Sequence, residues 1–255
     1  MATPQMTPAP QAEGGPTRIR AVFFDFQDTL ARFRDGAWNS AYGLYVEAAR
    51  EHGVDIDPEA IVLPTEEAWA DFQTPDGPAH PEGSRSAEAF QQVRIAVHRR
   101  RLARAGVTGD LADSIGRRID EFEARSERYE LFPDVLPALN ALGRLGVQCV
   151  VVSNHIWRLH EIVRDLGLGA KFEGVVNSAH VGYRKPHPKI YSAALRLTGI
   201  PPEDTMMVGD SYSHDVQGAE RLGIHGVLLD RDGASPPRES VRVIRTLTEV
   251  PLQWP

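Results

Sequence analysis

The chain has 255 residues, 42% of them hydrophobic and 25% charged, with a formal net charge of −7. This is an ordinary globular balance, long enough for one large domain or a core with an insertion. The acidic excess argues against non-specific binding to nucleic acid or anionic lipid, both of which need a basic footprint. No stretch reaches the roughly eighteen apolar residues of a membrane-spanning helix, so the expected partner is a small molecule. The single Cys149 lies in the apolar run from Val147 to Val152. It excludes an intrachain disulfide and reads as a buried thiol in a cytoplasmic protein.

Residues 1–17 are rich in Pro, Ala and Gln, carry no signal pattern and are expected to be a disordered leader. The run Ala21-Val22-Phe23-Phe24 predicts a strand buried on both faces of a parallel sheet. Ligands of such sheets bind beyond the carboxyl ends of the strands, which is where Asp25 falls. Residues 33–130 then have helical character, and an inserted helical subdomain is expected between core segments 18–32 and 131–255. Within it, Gly36 to His52 carries Trp38, Tyr42 and Tyr45 at helical spacing, read as a core stripe with stacking on a sugar or base as the sharper alternative. Ala60 to Phe72 is a weaker helix. Thr74 to Ser84 is a loop, with Pro75, Pro78, Pro81, Gly77 and Gly83. Ser86 to Ala105 and Leu111 to Tyr129 are long helices. Arg94, His98 and Arg101 share one face of the first, expected to be solvated, with contact to an anionic substrate as the alternative.

From Phe132 onward, short apolar strands alternate with helices, the pattern of βα units on a parallel sheet. Helices are expected at Asp134 to Leu145, Ile156 to Leu166, Pro188 to Leu197 and Val216 to Leu222. Strands are expected at Val147 to Val152, Gly174 to Asn177, Thr205 to Val208 and Gly226 to Leu229, with one more short element in Val241 to Leu247.

Polar residues stand at the ends of these strands or in the adjoining loops: Asp25-Phe26-Gln27-Asp28-Thr29-Leu30, then Ser153-Asn154, then Gly182-Tyr183-Arg184-Lys185-Pro186, then Gly209-Asp210 with Asp215 and Gly218-Ala219. Any one of them alone is more often a turn or helix-cap residue. In this order they resemble the four motifs of the haloacid dehalogenase superfamily. The resemblance implies an α/β fold, a Rossmann-like doubly wound parallel sheet with an inserted α-helical cap. It also implies a Mg²⁺-dependent phosphatase acting on a small phosphorylated metabolite through an aspartyl-phosphate. Asp25 would be the nucleophile, and Ser153, Asn154 and Lys185 would bind the phosphoryl group. Asp25, the main-chain carbonyl of Gln27 and Asp210 would hold the metal, with Asp215 behind them. This division of labour meets what phosphoryl transfer needs: an in-line nucleophile, donors and cationic charge.

One position departs from the family. Most phosphatases of the superfamily have an Asp two residues after the nucleophile, to protonate the leaving group and then activate water; here that residue is Gln27. An amide neither takes nor gives a proton at neutral pH. Such a loss costs on the order of 10²- to 10⁴-fold in rate, or roughly 3 to 5 kcal/mol of barrier. Reduced or specialised turnover is therefore expected, with a catalytically silent phosphate-ligand binding or regulatory protein as the rival reading. His155 is the best-placed stand-in acid/base by sequence. Asp28 is disfavoured, because in extended chain its side chain would point away from that of Gln27. Dehalogenation is less well supported, since the family's dehalogenases lack the metal pattern retained here. Phosphonate cleavage needs a cap lysine, and the insertion has none.

Overall fold

The computed structural model describes residues 17–34, 41–236 and 240–254. Residues 1–16 of the expected leader, and Trp38, lie outside these residues. Two-residue strands at the chain ends, β1 (Thr17–Arg18) and β10 (Gln253–Trp254), pair antiparallel. The apolar run forms β2 (Ala21–Phe24), whose four residues are all 0% exposed. It occupies the middle of a six-stranded parallel sheet with β5 (Gln148–Ser153), β6 (Gly174–Asn177), β7 (Thr205–Gly209), β8 (His225–Leu229) and β9 (Arg242–Ile244), in the order β6-β5-β2-β7-β8-β9. Neighbours of β2 are thus distant in sequence, as the crossover connections between parallel strands require.

Both faces of the sheet are covered, which is why its strands read as apolar runs rather than alternating ones. Val22 and Phe24 share a cluster with Val135, Leu139 and Leu142 of α5 (Val135–Arg144) and with Ile162 of α6 (Leu159–Asp165). Ala21 and Phe23 pack on the other side with Ile190 and Ala194 of α8 (Pro188–Thr198) and Ala219 of α9 (Gly218–Glu220). The expected doubly wound architecture is the one observed.

Between β3 (Ala31–Phe33) and β4 (Tyr129–Leu131) the chain forms α1 (Ala41–Glu51), α2 (Thr65–Ala68), α3 (Ala87–Arg104) and α4 (Gly109–Glu123). Helix α4 packs against both α1 and α3. Strands β3 and β4 pair antiparallel, with Phe33 opposite Tyr129, and so bring both ends of the helical insertion to one neck. The fully buried Tyr129 ring lies 4.7 Å from that of Phe33 and 5.5 Å from that of Phe26.

Several boundaries differ from the sequence expectation. The long helix expected to run to Tyr129 stops at Glu123, because Tyr129 is committed to the neck ribbon. The helix expected from Ala60 to Phe72 shrinks to α2 and one 3-10 turn at Ala70–Phe72, since Pro64 stands immediately before α2. A short helix α7 (Ser178–Val181) follows β6, and the segment before α9 winds as a π-helical turn, Tyr212–Gln217. No helix among the described residues is long and apolar enough to cross a membrane.

Candidate active site

The register of the sheet sets the site. Phe24 lies beside Val151 of β5 and Val208 of β7, so Asp25 leaves β2 level with the ends of both neighbours. Its amide continues the ladder to the Val208 carbonyl at 3.0 Å. Ser153 ends β5, Asp210 follows β7, and Lys185 arrives on the loop after α7.

Lys185, only 2% exposed, is the electrostatic centre of the group. Its Nζ lies 2.8 Å from Asp25 Oδ1 and donates to Asp215 Oδ1 at 2.6 Å. The contact with Asp25 is an ion pair rather than an aligned hydrogen bond: Oδ1 accepts none. Burial alone would lower the lysine's pKa, but Asp215 and Asp25 outweigh it and hold the ammonium above its ordinary range. Asp215 is wholly buried, and its second oxygen accepts from the Ser211 amide at 3.0 Å, so both of its oxygens are engaged. Gly209 packs directly under this carboxylate; a Cβ there would collide with it.

One oxygen from each of Asp25, Asp210 and Asp215 falls within 4.8 Å of the others. Asp210 accepts from the Thr29 hydroxyl at 3.4 Å. Loss of hydration and the charges of Asp25, Asp215 and Asp28 push its carboxyl well above the usual range, with Lys185 opposing. Asp210 keeps exposed surface, so water relieves part of this crowding. Repelling carboxylates with all-oxygen donors are what a hard divalent cation neutralises, and the residues present fit one.

Ser153 is 1% exposed, and its hydroxyl makes no hydrogen bond within the described residues, leaving it free for an incoming oxygen. Asn154, expected among the phosphate ligands, is used differently. Its amide nitrogen donates to the Lys185 carbonyl at 2.9 Å and its oxygen accepts from the Lys185 amide at 2.7 Å, a two-point clamp on the main chain that carries the lysine. His155, expected as a stand-in acid/base, turns into an aromatic cluster. Its ring packs edge-on to Phe26 with centroids 5.3 Å apart, and its Nε2 lies 3.4 Å from the Tyr129 hydroxyl. Burial lowers its pKa, so it is neutral near pH 7.

At Gln27 the side-chain amide reaches Asp28 Oδ1 at 3.5 Å, a weak contact. Asp28 itself has φ = 57°, a left-handed conformation in which strand alternation does not hold. The expectation that its side chain points away from that of Gln27 therefore loses its basis. Desolvation and the neighbouring Asp25 raise its pKa.

The row Arg94, His98 and Arg101 is neither solvated nor free. Arg94 pairs with Asp120 at 2.9 Å and with Glu123, both on α4. His98 is 1% exposed, with Nε2 3.1 Å from Asp120 and Nδ1 2.6 Å from the Tyr45 hydroxyl. Arg101 donates to the Tyr42 hydroxyl at 3.1 Å and to the Ile61 carbonyl. These residues fasten the insertion together, and Tyr42 and Tyr45 are part of that packing. A cavity of about 450 Å³ between α3, α4 and residues 156–158 is lined by Phe90, Arg94 and Trp157, among others, but by neither Asp25 nor Lys185. Ser153, Asp210 and Asp215 do not line it either.

Sequence reasoning assigned no role to Thr29, although it stood in the first motif. It also passed over Arg184, the neighbour of Lys185.

The family model for haloacid dehalogenase-like hydrolases matches residues 19–223. The chain belongs to this family. It is a hydrolase, with phosphatase-like relatives. A haloacid dehalogenase-like hydrolase domain-containing protein 3 from Danio rerio is 30% identical over 243 residues, covering 92% of this chain and 96% of the relative. The glyceraldehyde 3-phosphate phosphatase of Methanothermobacter thermautotrophicus is 33% identical over 228 residues, covering 88% and 91%. Among solved structures, the magnesium-bound HAD-hydrolase YfnB of Bacillus subtilis superposes with a TM-score of 0.65 at 19% identity, over 91% of this chain and 96% of its own. At that identity the likeness concerns the fold.

Proposed function

We propose that the protein is a Mg²⁺-dependent phosphatase acting on a small phosphorylated metabolite through an aspartyl-phosphate on Asp25, with turnover reduced by Gln27. The observation that carries this reading is the buried Lys185 bridging Asp25 and Asp215 beside Asp210. A lone carboxylate at a strand end has no need of such a counter-ion. A nucleophile that must approach a phosphate dianion does. The phosphatase names among the relatives support the same class, and the helical insertion would act as the cap over the site. The single buried thiol, Cys149, fits a cytoplasmic protein.

In the first step an Asp25 oxygen bonds to phosphorus and the bond from phosphorus to the leaving oxygen breaks, its electron pair departing with that oxygen. Lys185 and the Ser153 hydroxyl stabilise the phosphoryl oxygens, and Asn154 holds the lysine's main chain in register. Asp25, the Gln27 carbonyl and Asp210 would hold Mg²⁺, which when bound supplies positive charge to the same oxygens. In the second step water attacks phosphorus, the bond to Asp25 breaks, and the water's proton must be accepted. Gln27 can take no part in either proton transfer, leaving that duty to the substrate's own leaving group, to bulk water or to Asp28.

The rival reading, a phosphate-ligand binding protein without turnover, rests on that same Gln27. Phosphate release from a panel of phosphomonoesters, with and without Mg²⁺, separates the two for the natural protein, Gln27→Asp and Asp25→Asn. Metal-dependent release that vanishes in Asp25→Asn is expected. A natural protein silent on every ester beside an active Gln27→Asp would instead establish the binding reading.

A further inference from the structure

Among the described residues, the cations near the site differ in whether a carboxylate answers them. Lys185 answers Asp25 and Asp215, and Arg94 answers Asp120 and Glu123. Arg184, one residue before Lys185, forms no ion pair with the described residues, and its Nε is buried with no hydrogen-bond partner among them. One face of its guanidinium is covered by the indole of Trp69, with Cζ 3.7 Å from the ring centroid. Trp69 is buried and belongs to the helical insertion, between α2 and the following 3-10 turn. The seam is fixed on both sides: the His80 amide donates to the Gly182 carbonyl at 2.7 Å and the Arg184 amide to the Pro78 carbonyl at 2.9 Å.

The charges acting on Arg184 are Arg94 and Arg101, which repel it, and Glu123 and Asp25, which attract it. Both of those acids are already claimed, by Arg94 and Lys185. Arg101 has no carboxylate of its own among the described residues either; it bonds the Tyr42 hydroxyl and the Ile61 carbonyl. Burial and the like charges lower the Arg184 pKa only to about 9, so the group stays cationic at neutral pH. A partly buried guanidinium without a counter-ion is costly, and its planar fork is suited to an oxyanion.

From this we infer that Arg184 is a specificity residue: it binds an oxyanion carried by the leaving portion of the substrate, a carboxylate or a second phosphate, on the insertion side of the site. The inference rests on the phosphatase reading above. It assigns Lys185 and Ser153 to the phosphoryl group being transferred and Arg184 to the far end of the molecule. Substrates with an anionic tail bring the missing counter-charge with them. Neutral esters of the same size leave the guanidinium uncompensated.

The test uses matched esters: 2-phosphoglycolate against 2-hydroxyethyl phosphate for the carboxylate, and glycerol 1,3-bisphosphate against glycerol 1-phosphate for the second phosphate. Expected is a preference in kcat/KM of about tenfold or more for the charged member of at least one pair. Arg184→Met should reduce that preference at least tenfold, mainly through KM, and Arg184→Lys should restore part of it. A natural protein that prefers neither charged ester overturns the inference. So does an Arg184→Met variant that loses the charged and neutral esters in equal proportion, which would place the guanidinium on the transferred phosphoryl or in the scaffold. If the natural protein hydrolyses none of the four, the phosphatase reading has failed. Calorimetric binding of the same pairs then decides on Arg184 by itself: a charged-ester preference lost in Arg184→Met sustains it, and equal affinities refute it.

Discussion

Replacing Lys185 with Met is the most direct test of how the acidic cluster is held together. The ammonium lies 2.8 Å from Asp25 and 2.6 Å from Asp215. At an effective dielectric constant near 20, each contact is worth about 6 kcal/mol of Coulomb attraction before any desolvation is charged against it. Stripping water from three charged groups offsets most of that. Experience with buried pairs that lose one member puts the net cost at about 3–5 kcal/mol. The wholly buried Asp215 bears most of it. The pH dependence has a definite sign. Burial and Asp25 push the Asp215 carboxyl up to about 6 even with Lys185 present to lower it. A raised folded-state pKa means the folded protein binds the proton more tightly than the unfolded chain. The carboxylate's penalty is thus fully felt above pH 6 and relieved as pH falls towards 4. Without the lysine the carboxyl must rise further. Urea unfolding with a chelator present should therefore show Lys185→Met less stable than the natural protein by about 3–5 kcal/mol at pH 7.5, with a smaller gap at pH 5. A gap under about 1 kcal/mol at pH 7.5, or one that widens on acidification, would refute the reasoning.

Other outcomes follow from single contacts. Gly209→Ala places a methyl group against the Asp215 carboxylate; it should lower stability by about 1–3 kcal/mol and weaken the response of the thermal midpoint to added Mg²⁺. Tyr45→Phe removes the hydroxyl that His98 Nδ1 engages at 2.6 Å. Because burial lowers the His98 pKa, the ring is neutral and the lost donor goes unreplaced, at a cost of about 1–2 kcal/mol by denaturant titration. Burial pushes the Cys149 thiol up to about 12, so iodoacetamide at pH 8 should label it far more slowly in the native protein than in urea, and equal rates would contradict its placement in the core. Gln27→Asp should raise phosphate release by at least an order of magnitude in steady-state assays; an unchanged rate would mean that proton transfer does not limit turnover.

The strand ends were legible because a parallel sheet buried on both faces leaves one mark, an apolar run, and one consequence, polar residues clustered beyond its carboxyl edge. Asp25, Ser153, Lys185 and Asp210 follow from that geometry together with the family order of their motifs. The neck was not legible: Ala31-Arg32-Phe33 is too short to show a period, and its partner Tyr129–Leu131 lies nearly a hundred residues away. Tyr129 consequently read as the end of a helix. The charged row on α3 was placed in solvent because a single sequence does not reveal that Asp120 and Glu123 of α4 face it. His155 and Asp28 failed for a local reason. Proximity in the chain suggested a role for the first, whose ring packs with Phe26 and Tyr129; assumed strand geometry dismissed the second, whose φ is positive. Asn154 was read as a phosphate ligand from its place beside Ser153, but its amide is directed to the main chain of Lys185.

The measurement closest to the central claim is a search for phosphate on Asp25. The protein is incubated with Mg²⁺ and a hydrolysed ester, quenched in acid and examined peptide by peptide by mass spectrometry. Because Gln27 leaves the second step without the family's usual proton acceptor, a phosphoryl adduct on Asp25 should accumulate in the natural protein, decline in Gln27→Asp and be absent from Asp25→Asn. Phosphate release without any adduct on Asp25, undiminished in Asp25→Asn, would contradict the assignment of the nucleophile.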